Sequence, residues 1–508
     1  MKTYIAVLLG SVLWAILLTP VVIWVARRVG AHDEPGVRKV HTKAIPRIGG
    51  IAVFIPTLIL TSAVLWLDNA VSRAFREIEW QIIALAVGAT AAFGVGLADD
   101  LYQLRARTKF IVQVAAAVLV CAFGIRINAF AVGDWMRIEF GLFSWPLTIL
   151  WLVGICNAVN LIDGLDGLAA GIASIACAVI AMLAIHTGMA VMAVLMLALL
   201  GSLLGFLVFN FNPAKVFLGD SGSLFLGFVL GASSVMCSQK SVTMVGLALP
   251  FLALGVPILD TLFSMLRRTL ERRSMFAPDR SHIHHRLVDL GLHQRHVVLF
   301  IYLVTATTTG LGLVMMITRG RETVVVFCCV MLLLLVVFRM VGAIRLRETI
   351  ERIRVNQRLA RDNKETRRVH DRACLTVRAA GDFEQWWQAM CAAGKEMDFV
   401  WLSASYQDDA GVEQIIVWRN PSWVPDSGRV LDVRLPAPPW SDVPSLDLQL
   451  GVAINGSLET ASHRATQFAR LVDEYRPVTR PREGGVSASD RSVGRDALWT
   501  PSRSGPVA

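Results

Sequence analysis

Apolar and polar positions in this chain fall into long blocks rather than the short alternation of a water-soluble fold. From Met1 to about Val341, apolar runs of roughly bilayer length recur between short polar breaks. They can be placed near 4–25, 49–67, 81–98, 109–125, 142–157, 168–186, 188–209, 223–237, 242–265, 297–317 and 323–343. Their length is what a bilayer demands, so each reads as a membrane span. Beyond Arg345 the pattern changes. "RLRETIERIRVNQRLARDNKETRRVHDR" reads as a basic amphipathic helix or linker. Helical spacing follows in "DFEQWWQAMCAAGKEM", and period-two alternation in "DFVWLSASYQ", "EQIIVWRN", "RVLDVRLPAP" and "LDLQLGVAIN". "LETASHRATQFARLVDEY" then closes as a helix, and a Ser/Gly/Pro/Arg-rich end reads as disordered. The expected fold is an all-α polytopic membrane protein of about eleven transmembrane helices, plus a small cytoplasmic α+β C-terminal domain. Its expected parts are 1–345, a membrane-embedded domain; 346–372, a basic linker; 373–477, an α+β module; and 478–508, a tail.

Composition sharpens this picture in three places. The chain is 55% hydrophobic and 17% charged, which excludes a soluble globule for its first two thirds. The opening run resembles a secretory signal, but it ends in Arg27-Arg28 without a small-residue cleavage site, so it reads as a retained helix. The eight cysteines show no metal-ligand spacing and no disulfide framework. The net charge of +10 would suggest nucleic acid in a soluble protein. Here it follows topology, and no nucleic-acid partner is expected. Positive residues concentrate after spans one (Arg27, Arg28, Arg38, Lys39, Lys43, Arg47), three (Arg105, Arg107, Lys109) and nine (Arg267 to Arg286). By the positive-inside rule the odd loops face the cytoplasm and the C-terminal region ends there.

Every polar motif of the membrane part falls in an odd loop: "DEPGVRKVHTKAIPRIGG", "ADDLYQLRARTKF", "NAVNLIDGLDGL", "NFNPAKVFLGDSGS" and "APDRSHIHHRL". One such loop could be a capped, solvated turn. Five on one face point to a site. Asp99, Asp100, Asp163, Asp166 and Asp220 would crowd carboxylates at a low-dielectric boundary, where protons or a cation must offset them. Oxygen donors without cysteine suit a hard ion, Mg2+ or Mn2+. Lys43, Arg47, Lys109 and the cluster His282, His284, His285 and Arg286 supply groups that bind phosphate. Acids, a hard ion and cations together describe phosphate chemistry reachable from both bilayer and cytosol. Acids in a many-span protein could also form a transporter's ion path. Transporters, however, place coupling acids near the midplane and often carry internal repeats, and neither pattern occurs here.

"GLADDLYQLRARTKFIVQ", "NAVNLIDGLDGLAAG", "FNPAKVFLGDSGSLFLG" and "SHIHHRL", in this order, resemble the polyprenyl-phosphate N-acetylhexosamine-1-phosphate transferases, a resemblance covering roughly residues 1–345. The resemblance implies catalytic roles for Asp99, Asp100, Asp163, Asp166, His284 and His285. It implies substrate binding by Lys43, Lys109, Asn157, Asn160, His282, Arg280 and Arg286, and a metal held by Asp220 with Asn160. The implied reaction takes a UDP-sugar and a polyprenyl phosphate to a polyprenyl-diphospho-sugar and UMP, with Mg2+ as cofactor. "HIHHRL" resembles the HexNAc-1-phosphate branch more than the MurNAc-pentapeptide branch, so UDP-GlcNAc is the expected donor, ahead of a modified UDP-HexNAc. The resemblance further implies a bacterial inner-membrane enzyme and a homodimer. In the C-terminal module, Trp386, Trp387 and Trp401 read as core, and an unidentified ligand or protein partner is the expected role.

Overall fold

In a water-free slab each backbone N–H and C=O must find its partner within its own segment, so the long apolar runs fold as helices. The computed structural model describes residues 2–33, 44–67, 70–132, 136–240, 245–270, 282–318, 321–342, 364, 366–407, 412–423, 429–436, 446–454 and 458–475. The chain divides into two units, Met1–Thr349 and Ile350–Ala508. The linker expected over 346–372 falls mostly outside the described residues, and the tail over 478–508 wholly so.

The first unit opens with α1 (Lys2–Val29) and a two-stranded ribbon, β1 (His32–Asp33) with β2 (Ile45–Pro46). It continues through α2 (Gly50–Trp66), α3 (Ala70–Glu77), α4 (Glu79–Tyr102) and α5 (Ala106–Ala122), then a hairpin of β3 (Ala129–Val132) and β4 (Met136–Glu139). After these come α6 (Ser144–Ile162), α7 (Leu168–His186), α8 (Ala190–Asn210), α9 (Gly219–Lys240), α10 (Val245–Ala253), α11 (Gly255–Leu270), α12 (Ile283–Asp289), α13 (Gln294–Leu313) and α14 (Arg321–Met340). The two small ribbons are an addition to the all-helical expectation.

Among the described residues, eight helices are long and apolar enough to cross a bilayer, or up to ten counting two bent pairs. Helix α5, at 17 residues, is shorter than these crossings. The run 242–265, expected as one span, is instead α10 and α11, bent by 76°. Pro257 has no N–H to give the Ala253 carbonyl and its ring collides with that turn, so the helix breaks.

Helix α9 is the axis of the unit, with 94% of its apolar window buried. Its small residues allow this, because helices approach closely only where side chains are short. A Cβ on Gly227 would lie 2.5 Å from the Cα of Cys156 on α6. A Cβ on Gly96 of α4 would overlap the Asp220 backbone, so α4 can lie against the start of α9 only with glycine there. That contact brings the last turn of α4, where Asp99 and Asp100 sit, alongside Asp220.

In the second unit, a helix over 366–378 (α15) precedes α16 (Phe383–Glu396). Asp382 caps α16 by accepting from the Gln385 N–H at 2.8 Å. Strands β5 (Phe399–Gln407), β6 (Glu413–Arg419), β7 (Val430–Pro436) and β8 (Asp447–Ala453) form a fully antiparallel sheet in the order β6-β5-β8-β7, and α17 (Leu458–Glu474) follows. Leu402, Ala404, Leu448, Leu450 and Val452 face the helices with Trp386, Trp387 and Phe468 in one core. Trp401 is half-buried on the sheet, its indole over Gly451 of the neighbouring strand.

Candidate active site

The sequence reading put the polar motifs in loops, whereas the structure puts most of them on helix ends. Asp99 and Asp100 ride on the last turn of α4, Lys109 on the first turn of α5, Asn157 and Asn160 near the end of α6, and Asp220 on the first turn of α9. A helix that continues to the membrane edge keeps its backbone paired, so polar residues extend it instead of unwinding it.

Consecutive helical residues point about 100° apart, and Asp99 and Asp100 accordingly meet different partners. The Asp100 carboxylate is fully covered. It accepts from the backbone N–H of Asp220 at 2.9 Å and of Ser221 at 3.0 Å, capping α9 from another helix. The Arg47 guanidinium also donates to it, from Nε and Nη2, both at 3.1 Å. Arg47 is itself placed by backbone bonds between 46–50 and 217–218: Phe217 N–H to Pro46 O at 2.7 Å, Gly49 N–H to Phe217 O at 3.0 Å, and Gly50 N–H to Leu218 O at 2.8 Å. Gly219 makes this junction feasible. Its φ is +74°, and a Cβ there would overlap the Arg47 carbonyl. Whereas both oxygens of Asp100 are engaged by Arg47 and the start of α9, Asp99 turns to Lys109 and Asp220.

Lys109 bridges Asp99 Oδ2 at 3.1 Å and Asp220 Oδ2 at 2.7 Å. Asn160 Nδ2 donates to Ser223 Oγ at 2.9 Å, and Ser223 stands one turn along α9 from Asp220, on the same side. Asn157 Nδ2 donates to Gln113 Oε1 at 2.9 Å, one turn along α5 from Lys109, which fixes the direction of the Asn157 carbonyl oxygen. Asp163 ends α6 and is partly accessible. Enclosure by protein, then the charges of Asp220 and Asp100, hold its carboxyl well above the usual carboxylate range, with Arg47 opposing. Four carboxylates against Lys109 and Arg47 leave an excess of negative charge, which adds to burial in raising Asp163. Among the described residues, no group of three or more His, Cys, Asp or Glu side chains is arranged to hold a metal by itself.

Asp166 sits elsewhere in the network. Its Oδ2 accepts from Asn212 Nδ2 at 2.9 Å and from Ala214 N at 3.0 Å, and Asn212 Nδ2 also donates to Gln294 Oε1 at 2.9 Å. In this structure Asp166 ties the α6–α7 turn to the segment leading into α9.

The histidine motif forms the other side. His282 and His284 rings stack 5.8 Å apart at 10°, and His284 lies 4.3 Å from His285. His284 is buried, its Nδ1 has no hydrogen-bond partner among the described residues, and its Nε2 would lie 2.6 Å from a Cβ on Gly164. Burial, then neighbouring His285 and His282, push its pKa well below the ordinary imidazole value, so the ring is neutral at neutral pH. Arg286 reaches the Gly342 carbonyl beyond the end of α14. Lys43 and Arg280 lie outside the described residues. The sequence reading missed Gln113, Asn212 and Asp260. Asp260 carried a signal in "GVPILDTLF", where a lone acid interrupts an apolar run. Gln113 and Asn212 lie within quoted motifs, and only their partners reveal them.

The family model described as glycosyl transferase family 4 matches residues 82–238, which run from α4 to α9. The chain is 39% identical over 297 residues to a probable undecaprenyl-phosphate N-acetylglucosaminyl 1-phosphate transferase of Bacillus subtilis (strain 168), covering 58% of this chain and 80% of that protein. It is 37% identical over 302 residues to a decaprenyl-phosphate N-acetylglucosaminephosphotransferase of Mycobacterium tuberculosis (strain ATCC 25618 / H37Rv), covering 55% of this chain and 74% of that protein. It is 27% identical over 299 residues to an undecaprenyl-phosphate alpha-N-acetylglucosaminyl 1-phosphate transferase of Escherichia coli (strain K12), covering 57% of this chain and 77% of that protein.

Proposed function

The chain belongs to glycosyl transferase family 4, the polyprenyl-phosphate N-acetylhexosamine-1-phosphate transferases, and from that membership we propose that it transfers GlcNAc-1-phosphate from UDP-GlcNAc to undecaprenyl phosphate. UMP is released, and the product opens a lipid-linked cell-envelope glycan such as an O antigen or exopolysaccharide. The protein sits in the bacterial inner membrane with its site and C-terminal domain cytoplasmic. The observation that carries this reading is the cluster at the ends of α4, α5 and α9, where Asp99, Lys109 and Asp220 meet at the margin of apolar helices. A lipid phosphate and a soluble nucleotide need such a margin in common. Transport gives way to family membership.

In the transfer, an oxygen of the lipid phosphate attacks the β-phosphorus of the UDP-sugar, and the bond from that phosphorus to the bridging oxygen breaks as UMP leaves. Lys109, already shared between two carboxylates, places positive charge beside Asp99, where the lipid phosphate docks. Asp99 accepts the proton of that phosphate if it arrives as a monoanion, and Asp100 holds α9 in register. Attack is direct, because both substrates carry phosphate and positioning supplies much of the acceleration. The excess negative charge fits one divalent ion, and Mg2+ is commonly held by one or two carboxylates plus substrate phosphates. Asp220, with the Asn160 carbonyl oxygen, would hold it, and Mg2+ would offset charge on the diphosphate. Neutral His284 lies against the Asp163–Gly167 turn, where the sugar is read.

The test uses purified enzyme in detergent with undecaprenyl phosphate, Mg2+ and a panel of UDP-GlcNAc, a 6-deoxy UDP-HexNAc and UDP-MurNAc-pentapeptide. Mg2+-dependent UMP release with UDP-GlcNAc, abolished in Asp220→Asn, is the expected result. UMP release with another panel member alone moves the donor assignment. Folded enzyme that releases UMP from none of them overturns the reading.

A further inference from the structure

Asp260 lies six residues into α11, within the second limb of the bent span, and is 4% exposed. A carboxylate in an apolar helix persists only where buried partners satisfy it. Its partners are two successive residues of the histidine motif. Oδ1 accepts from the Ile283 N–H at 2.9 Å, and Oδ2 lies 2.8 Å from Nδ1 of His282, itself 5% exposed. No described residue hydrogen-bonds Nε2 of His282.

We propose that Asp260 is a positioning residue for the transfer, acting through His282; this rests on the transferase reading above. A carboxylate offers only lone pairs, so the imidazole turns Nδ1–H toward it and keeps the Nε2 lone pair for the opposite side. There Nε2 accepts a hydrogen bond from a hydroxyl or amide N–H of the donor sugar. Because the His282 ring stacks on that of His284, and His284 abuts Gly164, the same carboxylate sets the direction of both rings relative to the turn that carries Asp163. The bend at Pro257 brings this acid to the motif. A straight span would carry it elsewhere.

Asp260→Asn tests the assignment. The amide oxygen continues to accept from Ile283 N–H while the amide NH2 donates to Nδ1, which drives His282 into the Nε2–H tautomer and replaces the acceptor with a donor. A swap of this kind, where an acid orients a histidine, preserves geometry and removes function. The variant should keep its thermal midpoint within a few degrees. Its kcat/KM for the UDP-sugar should fall by about 100-fold or more, while KM for undecaprenyl phosphate stays within about twofold. Asp260→Glu should recover part of the loss. In the double variant with His282→Ala, the Asp260→Asn loss should vanish into that of His282→Ala, because both remove one unit. Multiplying losses, or full activity in Asp260→Asn, overturns the proposal. Nitrogen NMR of histidine-labelled enzyme supplies a readout independent of turnover: one imidazole should move from Nδ1–H to Nε2–H in Asp260→Asn, and an unchanged spectrum overturns the proposal. If wild-type enzyme releases no UMP, the transferase reading falls while the NMR arm still decides whether Asp260 sets the tautomer.

Discussion

The two sides of the site are built by opposite means. On the acid side, Asp99, Asp100 and Asp220 are held by Lys109, Arg47 and the N-terminus of α9, and every contact carries charge. On the histidine side, His284 is buried and neutral, Asp260 stands behind His282, and Arg286 donates to the Gly342 carbonyl. On the transferase reading proposed above, the difference separates two tasks. Charge belongs where phosphates exchange partners, and direction without charge belongs where an uncharged sugar must be told from its isomers. Shape-preserving substitutions can then be sorted by which property they remove.

The sharpest break of this comparison is Asp99→Asn against His284→Gln, both assayed by UMP release. On the acid side, loss of one charge at constant shape should lower kcat by about 1,000-fold, the scale for removing a charge-stabilising or proton-accepting group. On the histidine side, a neutral replacement should cost roughly 10- to 100-fold, expressed largely in KM for the UDP-sugar. Equal losses on both sides, or a kcat-only loss in His284→Gln, would erase the division of labour.

A smaller effect tests whether the two sides touch through Gly164. A Cβ there would lie 2.6 Å from His284 Nε2, so Gly164→Ala must shift the ring. Transfer should fall by about 10-fold in a folded protein, as expected for sub-ångström misplacement in a positioned site. Removing the ring first, in His284→Ala, should make Gly164→Ala silent. A Gly164→Ala loss that persists without the ring would show that the turn, not the histidine, responds.

How much of this could be read from the sequence differs between regions in the same way. In the second unit, period-two and helical patterns over short segments located β5 to β8, α16 and α17, because each buries one face of its own. In the membrane unit, apolar length marked the eight helices that are long enough to cross a bilayer among the described residues, and the motif order picked out the acids and histidines that the structure brings together. The pairings were out of reach. Arg47 meets Asp100 across 53 positions and Lys109 meets Asp220 across 111, and no local pattern encodes either. Neither could the sequence tell Asp99 from Asp100, since their division follows from a rotation of about 100° against neighbours supplied by other helices. The break in 242–265 was foreshadowed by Gly255 and Pro257, but apolar length alone bridged it.

The smallest effect concerns stability and sharpens the charge argument most directly. Asp163 titrates above the ordinary carboxylate range because enclosure and the charges of Asp220 and Asp100 disfavour its ionised form. The sign follows from linkage. A carboxyl with a raised folded-state pKa lends full stability below its unfolded value near 4, and that stability is lost as pH rises through the folded value. Asp163→Asn keeps the shape and cannot ionise. The thermal midpoint of ligand-free enzyme should therefore match wild type near pH 4 and exceed it progressively as pH rises through the folded value. Excess Mg2+ should narrow the gap at neutral pH by neutralising the same charge. A gap that is constant with pH would place the effect in packing, and a gap that opens toward acid would reverse the sign and remove the carboxylate excess from the account of the acid side.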